Sequence, residues 1–311
     1  MNTEPSLYDS SRFAVVGAGL HRVRVCICEV DGSASSRAPS SRRVLLIHGN
    51  PSHLNHWIHT VPALNGHAVL AYDQPGLGKS DDFADATQSL ERSVDIALAV
   101  LDEVGWTEPV DIVGQSHGGL VAIALAACAP NRVRSIVLLG TGGTPAHSMY
   151  RLFRLPGLDR ALLMLGRAMS PKAPTREHGG RTSLLDEWLE KFVAAAIHNG
   201  ARGSFAPDPV PPSIIAEGLR APPTILRTMV RLAHDRPCDK VAPYARRVRA
   251  PVLFIHGRED RLVHVSYAKR LFEIMHLAGT EARFVELEGG HMLHFSRPLA
   301  VNPLLKKWFA S

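Results

Sequence analysis

A serine stands between two glycines in the segment Gly114-Gln115-Ser116-His117-Gly118. A serine hydroxyl is a weak nucleophile until a base takes its proton, and it must stand clear of its own backbone to react. The apolar residues before this segment predict a buried strand and those after it a helix, so Ser116 would lie at a sharp strand-to-helix turn. The N–H groups and dipole at the start of that helix favour developing negative charge. We therefore predict that Ser116 is a catalytic nucleophile.

Two later segments offer the base and the acid that such a serine needs. His291 follows a predicted strand and two glycines, and a glycine-rich loop can deliver an imidazole to the serine. Asp260 lies just past another predicted strand, where a carboxylate could orient the histidine and stabilise its charged form. Glu259 is the alternative acid and His294 the alternative base. The preferred triad is Ser116, Asp260 and His291.

The segment His48-Gly49-Asn50-Pro51 ends an earlier apolar run and is a candidate oxyanion hole. An oxyanion hole needs two N–H donors aimed at one point. The backbone N–H of His117 can be one donor and that of Asn50 the other, whereas proline has no N–H to give. We expect His48 to brace this loop, and its use as the catalytic base is the less favoured alternative.

Strand and helix patterns alternate on both sides of these segments. Short apolar runs predict strands over residues 44–49, 68–73, 110–116, 133–143, 250–257 and 282–290, and residues 22–30 alternate as a half-buried strand. Helical patterns cover Leu90 to Val104, the residues after Gly118, Tyr267 to Leu277 and the C-terminus. The prediction is an α/β fold with a mostly parallel, doubly wound sheet. Because parallel strands end at one edge, the four chemical segments should converge there.

The alternation breaks between residues 144 and 250, where prolines and helical patterns replace strands. Helices are expected over 148–169, 184–198 and 223–235. We predict a core domain formed by residues 1–143 and 251–311, with residues 144–250 inserted as a helical cap. Disorder is expected only at the N-terminus and in the polar loop 31–42.

The chain resembles α/β-hydrolases across roughly residues 20–311. The segments HGNP, DQPGLGKS, GQSHGG, HGREDRLV and GGHMLHFSRP appear in that family's order, and the chain order serine, aspartate, histidine is the family's. The resemblance implies the α/β-hydrolase fold, a nucleophile elbow at Ser116, a triad completed by Asp260 and His291, and an oxyanion hole at Asn50 and His117. The insertion falls where family members carry a helical cap.

A serine nucleophile indicates acyl transfer, so a serine esterase acting on a small carboxylic ester is the leading interpretation. The alternative is hydrolysis of a carbon–carbon bond in an anionic vinylogous diketone, as in the similar meta-cleavage-product hydrolases. Haloalkane dehalogenases and epoxide hydrolases share HGNP and DQPG, but they carry an aspartate where this chain has Ser116. Haloperoxidase or perhydrolase activity, a cyclase or transacylase, and a non-catalytic receptor of this fold stay open as further alternatives.

Substrate-contacting residues are expected near the strand ends and the entry to the cap: Trp57, Met149, Phe153, Leu262 and Met292. Each could equally belong to the ordinary core. The net charge of +6 lies in the insertion, since residues 144–250 hold 17 basic and 9 acidic residues and the remainder holds 18 and 20. This excess indicates either solvated arginine-rich helices or attraction of an anionic substrate.

Other classes of protein are disfavoured. No run of basic residues predicts nucleic-acid binding, no apolar run is long enough to span a membrane, and the four cysteines do not form a disulfide pattern. No secretory signal is visible, so a cytoplasmic protein is expected. GLGKS and VVGAGL are incomplete nucleotide-binding motifs, and His53, His56 and His59 lack a further ligand for a metal. No cofactor is expected, and the sequence does not predict the oligomeric state.

Overall fold

The computed structural model describes residues 6–17, 22–30, 42–83, 88–142 and 222–310, together with isolated positions between 157 and 207. Within these ranges the molecule is a mostly parallel sheet with helices on both faces. The predicted α/β class is confirmed.

Eight strands form one sheet in the order β1-β2-β4-β3-β5-β6-β7-β8. Strands β1, β2 and β4 pair antiparallel, and the pairs from β4 to β8 are parallel. The strands are β1 (Ser11–Val16), β2 (Val23–Val30), β3 (Arg43–Ile47), β4 (Ala68–Tyr72), β5 (Val110–Gln115), β6 (Val133–Leu139), β7 (Val252–Gly257) and β8 (Ala282–Leu287). All seven predicted strands are present, and β1 is the strand that the sequence did not predict.

The described helices follow the strands as expected for parallel connections. They are α1 (Leu90–Glu103), α2 (His117–Cys128), α3 (Pro222–Asp235), α4 (Pro237–Ala245), α5 (Val265–Leu277), α6 (Leu293–Ser296) and α7 (Pro298–Phe309). Short 3₁₀ turns occupy Leu7–Ser10, Leu54–Trp57, Val61–Leu64 and Pro130–Arg132. Among the described helices, none has the length and apolar character needed to cross a membrane.

Each face of the sheet carries its own hydrophobic cluster. Leu45 and Ile47 of β3 point to the cluster that contains α1, α2 and α5, whereas Val44 and Leu46 point to the cluster that contains α7. This alternation follows from the two-residue period of a strand. Because both faces are covered, β5 is buried along its whole length, and its C-terminal end is held rigidly where Ser116 begins.

The expectation of a disordered N-terminus is wrong for residues 6–17. Ser6 caps the first 3₁₀ turn in a capping box with Asp9, and β1 then pairs with β2 along the whole strand. The sequence did not indicate this strand because apolar residues face both ways at the sheet edge: Phe13 and Val15 are exposed, and Ala14 and Val16 are buried. The nucleotide-binding reading of VVGAGL is disfavoured, because the chain continues after this segment as strand β2, antiparallel to β1, where that motif needs a helix.

The insertion leaves the sheet after β6 and returns at β7. The third predicted helix of the insertion is present as α3, one residue longer than predicted. The predicted helices 148–169 and 184–198, and the predicted pocket residues Met149 and Phe153, lie outside the described residues. Helix α4 packs into the same hydrophobic cluster as α2 through Val241 and Ala245. The boundaries 144 and 250 of a cap domain stay a prediction.

Candidate active site

Ser116 occupies a backbone conformation that side-chain-bearing residues rarely adopt. Its φ is 52° and its ψ is −117°, at the junction of β5 and α2. Such a conformation costs on the order of 1–3 kcal/mol and persists only where the surroundings enforce it. Gly118 contributes to this close packing: a Cβ there would lie 2.1 Å from the carbonyl oxygen of Ile47. The glycine lets α2 approach β3 closely, and the turn projects Ser116 from the end of the sheet.

The first turn of α2 offers N–H groups beside the serine. The N–H of Ser116 itself donates to the carbonyl of Leu139 at 2.9 Å, so it is already used. The N–H of His117 stands at the first position of the helix, where no intrahelical acceptor exists. This N–H could donate a hydrogen bond to a bound oxyanion, which is the role that the sequence predicts for it.

The loop after β8 brings His291 to the same edge of the sheet. Its Nδ1 lies 2.7 Å from Oδ2 of Asp260, and both side chains are buried. Gly140, which follows β6, lies against the ring: a Cβ there would be 3.3 Å from Nδ1 of His291. Strand β6 is the direct neighbour of β5, so the imidazole sits beside the strand that ends at Ser116.

Asp260 is held by its own loop and by a second histidine. Its Oδ1 accepts hydrogen bonds from the N–H groups of Leu262 at 2.9 Å and Val263 at 2.8 Å. Nε2 of His256 lies 3.4 Å from Oδ2 and 2.8 Å from the carbonyl of Val263. Burial alone would raise the pKa of Asp260, but the facing His291 and the hydrogen bonds from both histidines hold that pKa well below its ordinary value. The carboxylate is therefore charged and can stabilise a protonated His291.

The alternative acid is placed elsewhere. The carboxylate of Glu259 accepts a short hydrogen bond from the N–H of Gly289 and is exposed. It therefore braces the loop that carries His291, while Asp260 is the residue that contacts the ring.

The alternative bases are also accounted for. Nε2 of His48 accepts from the N–H of Gln74 at 2.9 Å, so the ring proton is on Nδ1, which donates to the carbonyl of Gly49 at 2.7 Å. Burial lowers the pKa of His48 to about 3. Burial and the nearby His291 lower the pKa of His294 to about 3 as well. Both rings are neutral, and His48 braces its loop as the sequence predicts.

Residues 48–57, here called the His48 loop, lie directly against the serine. A Cβ on Gly49 would be 3.0 Å from Cβ of Ser116, so Asn50 is one residue from this contact. The loop is anchored by Asp73, whose Oδ1 accepts from the N–H of Leu54 at 2.6 Å. The residue before Asn50 thus lies against Ser116, and the use of the Asn50 N–H as an oxyanion donor stays a prediction.

Asp73 is the centre of the DQPGLGKS segment, which forms a structural turn. Its Oδ2 accepts from the hydroxyl of Tyr8 at 2.9 Å and from the N–H of Lys79 at 2.8 Å. Nζ of Lys79 in turn lies 3.8 Å above the Tyr8 ring. Gly78 has a φ of 54°, and a Cβ there would collide with the Asp73 carboxylate. The carboxylate therefore fills the space that a phosphate-binding reading of GLGKS would need.

The predicted pocket residues within the described ranges have different environments. Trp57 is fully buried, and its ring centre lies 4.6 Å from that of His294. Met292 is buried directly after His291, and Leu262 is half-buried in the Asp260 loop. His53 and His56 lie close together, with ring centres 4.4 Å apart. No three His, Cys, Asp or Glu side chains of the described ranges are arranged to hold a metal ion.

Two residues of the site were missed by sequence reasoning. His256 is the penultimate residue of β7, four residues before Asp260, and its position at a strand end was the available signal. Gln115 precedes the serine inside the motif itself, and its Nε2 lies 3.2 Å from Nε2 of His291. The motif marks this position as variable, so nothing in the spacing indicates a contact with the base.

Comparison with known proteins agrees with this architecture. Residues 42–298 match the family model for the alpha/beta hydrolase fold. A 2-hydroxymuconate semialdehyde hydrolase from Pseudomonas sp. strain CF600 is 30% identical over 225 residues, covering 71% of each chain. A pyrrolizixenacetamide deacetylase from Xenorhabdus hominickii is 28% identical over 303 residues, covering 94% of this chain and 98% of the relative.

Among solved structures, a thermophilic esterase from Thermogutta terrifontis superposes with a TM-score of 0.70 at 17% identity, covering 96% of this chain and 97% of the esterase. At that identity the superposition supports the fold alone. The family match spans most of the chain, and the two relatives reported above are a hydrolase and a deacetylase by name. The chain is a hydrolase that belongs to the α/β-hydrolase fold family.

Proposed function

We propose that this protein is a serine hydrolase that cleaves a small carboxylic ester through Ser116, His291 and Asp260. One observation carries the proposal: a serine in a strained turn shares a sheet edge with an imidazole that a buried carboxylate holds at 2.7 Å. A charged carboxylate on Nδ1 fixes the tautomer in which Nε2 carries a lone pair and no proton. That lone pair is the one a serine proton needs.

The proposed reaction has two stages. His291 takes the proton of Ser116 as the oxygen attacks the carbonyl carbon of the ester, and the N–H groups of His117 and Asn50 hold the oxyanion. The bond to the leaving alcohol breaks as His291 returns the proton to it, which leaves an acyl-enzyme. Water then attacks the acyl group, again giving its proton to His291, and the carboxylic acid departs as Ser116 regains its hydrogen.

The ion pairs of α3 and α4 account for part of the basic excess without an anionic substrate. Arg227 and Arg231 lie 3.4 and 3.0 Å from Oδ2 of Asp82. Lys240 forms a short contact with Asp235 and lies 3.4 Å from Glu91. These basic groups already face carboxylates. This part of the basic excess is thus committed to anchoring the insertion to the core.

Hydrolysis of a carbon–carbon bond is the second candidate, and the names of relatives favour it. The semialdehyde hydrolase reported above is one such relative, and a 2-hydroxy-6-oxo-2,4-heptadienoate hydrolase from Pseudomonas putida is 25% identical over 257 residues. Such a reaction would use the same triad on a ketone and would add a need to bind the substrate carboxylate.

We propose that residues 144–250 cap this site and help to line its pocket. The insertion leaves the sheet after β6, whose end lies beside His291. Trp57, Leu262 and Met292 would line the pocket from the core, and Met149 and Phe153 would line it from the insertion. The packing of these residues would set the length of the acyl group and exclude water.

A matched substrate panel tests the proposal. The purified protein and its Ser116→Ala variant are assayed with p-nitrophenyl esters of two to twelve carbons and with a 2-hydroxy-6-oxo-dienoate. We expect turnover of short or medium esters that the variant loses by at least about a thousandfold. Preference for the dienoate by kcat/KM would instead support the second candidate. Turnover that survives in the variant would overturn both.

A further inference from the structure

The side chain of Gln115 lies inside the site although the proposed chemistry does not use it. Gln115 is the last residue of β5, and only 2% of it is exposed. Its Nε2 lies 3.2 Å from Nε2 of His291. On the other side, a Cβ on Gly49 would fall 2.3 Å from its Oε1 and 3.2 Å from its Cδ. The amide is therefore wedged between the imidazole and the His48 loop, in space that exists because residue 49 is a glycine.

The Asp260 contact determines what this amide can do. Because Nδ1 of His291 carries the proton that faces Asp260, Nε2 of a neutral ring presents a lone pair. The amide nitrogen of Gln115 can donate an N–H to that lone pair. The reversed amide would point an oxygen lone pair at a nitrogen lone pair, which is repulsive. The observed orientation is thus the one that suits the neutral ring.

Protonation of His291 would reverse this relation. Nε2 would then carry a hydrogen, and the Gln115 N–H groups would face another donor at 3.2 Å. The contact would be restored only if the amide rotated to present Oε1. As placed, the amide has Oε1 beside Gly49 and Nε2 toward the ring, which suits the neutral imidazole. Gln115 therefore stabilises the neutral form of His291, and its N–H must move aside when Ser116 gives its proton to the same Nε2 lone pair.

We propose that Gln115 is a positioning residue that donates to Nε2 of His291, keeps this imidazole unprotonated in the resting enzyme and so sets the lowest pH at which Ser116 reacts. The proposal rests on the proposed function for its effect on reactivity. The hydrogen bond itself stands independently of that function.

Other groups face His291 and are held constant in the test. Asp260 contacts Nδ1, His256 contacts the same carboxylate, and His294 lies close enough to interact electrostatically with His291. None of these groups is changed by a substitution at position 115. A shift in the pH dependence would therefore report the Gln115 contact.

The experiment measures the rate of Ser116 labelling by a fluorophosphonate between pH 4 and 9, so that no substrate needs to be known. Gln115→Met removes the donor at similar size, and Gln115→Glu replaces it with an acceptor. We expect the midpoint of the acidic limb to move to higher pH, by roughly half to one unit in Gln115→Met. We expect a move of roughly one to three units in Gln115→Glu.

Gln88→Met is the matched control. Gln88 is also buried, but its Nε2 donates to the carbonyl of Pro75 at 3.0 Å, away from His291. The acidic limb of the labelling rate in Gln88→Met should have the same midpoint as in the unsubstituted protein. A role in packing alone would lower the rate at every pH in the Gln115 variants and leave the midpoint in place, which would overturn the proposal.

An imidazole nitrogen NMR titration separates the two proposals. If the unsubstituted protein is not labelled, the nucleophile assignment fails, yet the resonances of His291 still report on Gln115. The hydrogen bond predicts that the His291 titration moves to higher pH in Gln115→Met. An unchanged titration would contradict it even if labelling succeeds. If neither position-115 variant folds, the NMR titration is made with Gln115→Asn, whose shorter amide should also shift it upward.

Discussion

Two histidine-bearing loops approach Ser116 from opposite sides, and they hold their rings in opposite ways. His291 faces the buried, charged Asp260, whereas His48 exchanges hydrogen bonds with the backbone of Gly49 and Gln74. Both rings are nearly completely buried. Oδ2 of Asp260 lies 2.7 Å from Nδ1 of His291 and can stabilise a charged ring. Oδ1 of Asp73 lies farther from the His48 ring, 4.0 Å from Nε2, and this nitrogen already accepts from Gln74, so the His48 ring stays neutral. Both residues are buried histidines, so the group that contacts each ring decides which of them can act as a base.

The largest expected effect comes from removing the partner of His291. Asp260→Asn should lower kcat/KM by about a hundred- to ten-thousandfold, because an amide stabilises the wrong tautomer and cannot balance the charged ring. Steady-state kinetics with the best ester measure the change. Glu259→Gln is the matched control, since Glu259 contacts Gly289 and not the ring, and its effect should be far smaller. Equal losses in the two variants would break the comparison.

Acid should unfold the protein through its neutral histidines. Burial lowers the pKa values of His48 and His294 to about 3, that of His117 to about 4, and that of His56 well below the usual range. Below pH 6.5 the unfolded chain binds protons at these four rings and the folded chain does not, so stability is lost as the pH falls. Asp73 offsets the contribution of one of these four rings. Burial raises its pKa to about 7, so below that pH its carboxyl holds a proton in the folded state that it loses on unfolding.

Unfolding therefore takes up about three protons net, and the free energy of unfolding should fall by about 4 kcal/mol per pH unit between pH 6 and 5. Urea unfolding at several pH values measures it. His294→Phe removes one of these rings, so the dependence of the free energy of unfolding on pH should become shallower by the contribution of one proton. A flat profile would mean that these rings do not stay neutral in the folded protein.

The anchor of the His48 loop should depend on Tyr8. Tyr8→Phe removes one of three donors to Asp73 and should lower the free energy of unfolding by about 2 kcal/mol. The cost should be greater at pH 8 than at pH 5, because the pKa of Asp73 is about 7 and the ionised carboxylate accepts more strongly. Tyr244→Phe is the control, since its hydroxyl contacts the exposed Glu91 at 3.2 Å. Chemical denaturation of both variants at both pH values makes the measurement, and equal costs would contradict the anchor.

The smallest expected effect concerns the turn between the two loops. Ser116→Gly should raise the free energy of unfolding by about 1 kcal/mol, because glycine tolerates a φ of 52° without strain. Ser116→Ala keeps a Cβ and should show no such gain, although both variants lose the proposed nucleophile. Thermal unfolding compares the two, and equal stabilities would argue against strain at this position.

The elements that the sequence predicts well are those with a strong local pattern. Strands β3, β4, β5 and β7 are short apolar runs buried on both faces, and all four lie within two residues of the predicted bounds. Strand β1 escaped prediction because its outward residues are exposed at the sheet edge. Helix α4 escaped because Pro237 opens it and Pro243 lies inside it, and prolines usually indicate a break.

Within the site, spacing and chain order placed the residues but could not supply their contacts. The order of Ser116, Asp260 and His291 was enough to predict that Asp260 and His291 would meet, and the structure joins them. The choice between Asp260 and Glu259, adjacent in sequence, needed the structure. Gln115 meets His291 across 176 positions of sequence, a contact that no local pattern encodes.

The most direct test is to label the protein with a fluorophosphonate near neutral pH and locate the adduct by mass spectrometry. We expect a single adduct on Ser116, no adduct there in Ser116→Ala, and labelling slowed by at least about a hundredfold in His291→Ala and Asp260→Asn. An adduct on another residue, or labelling of Ser116 at an undiminished rate in His291→Ala, would contradict the assignment of the nucleophile and its base.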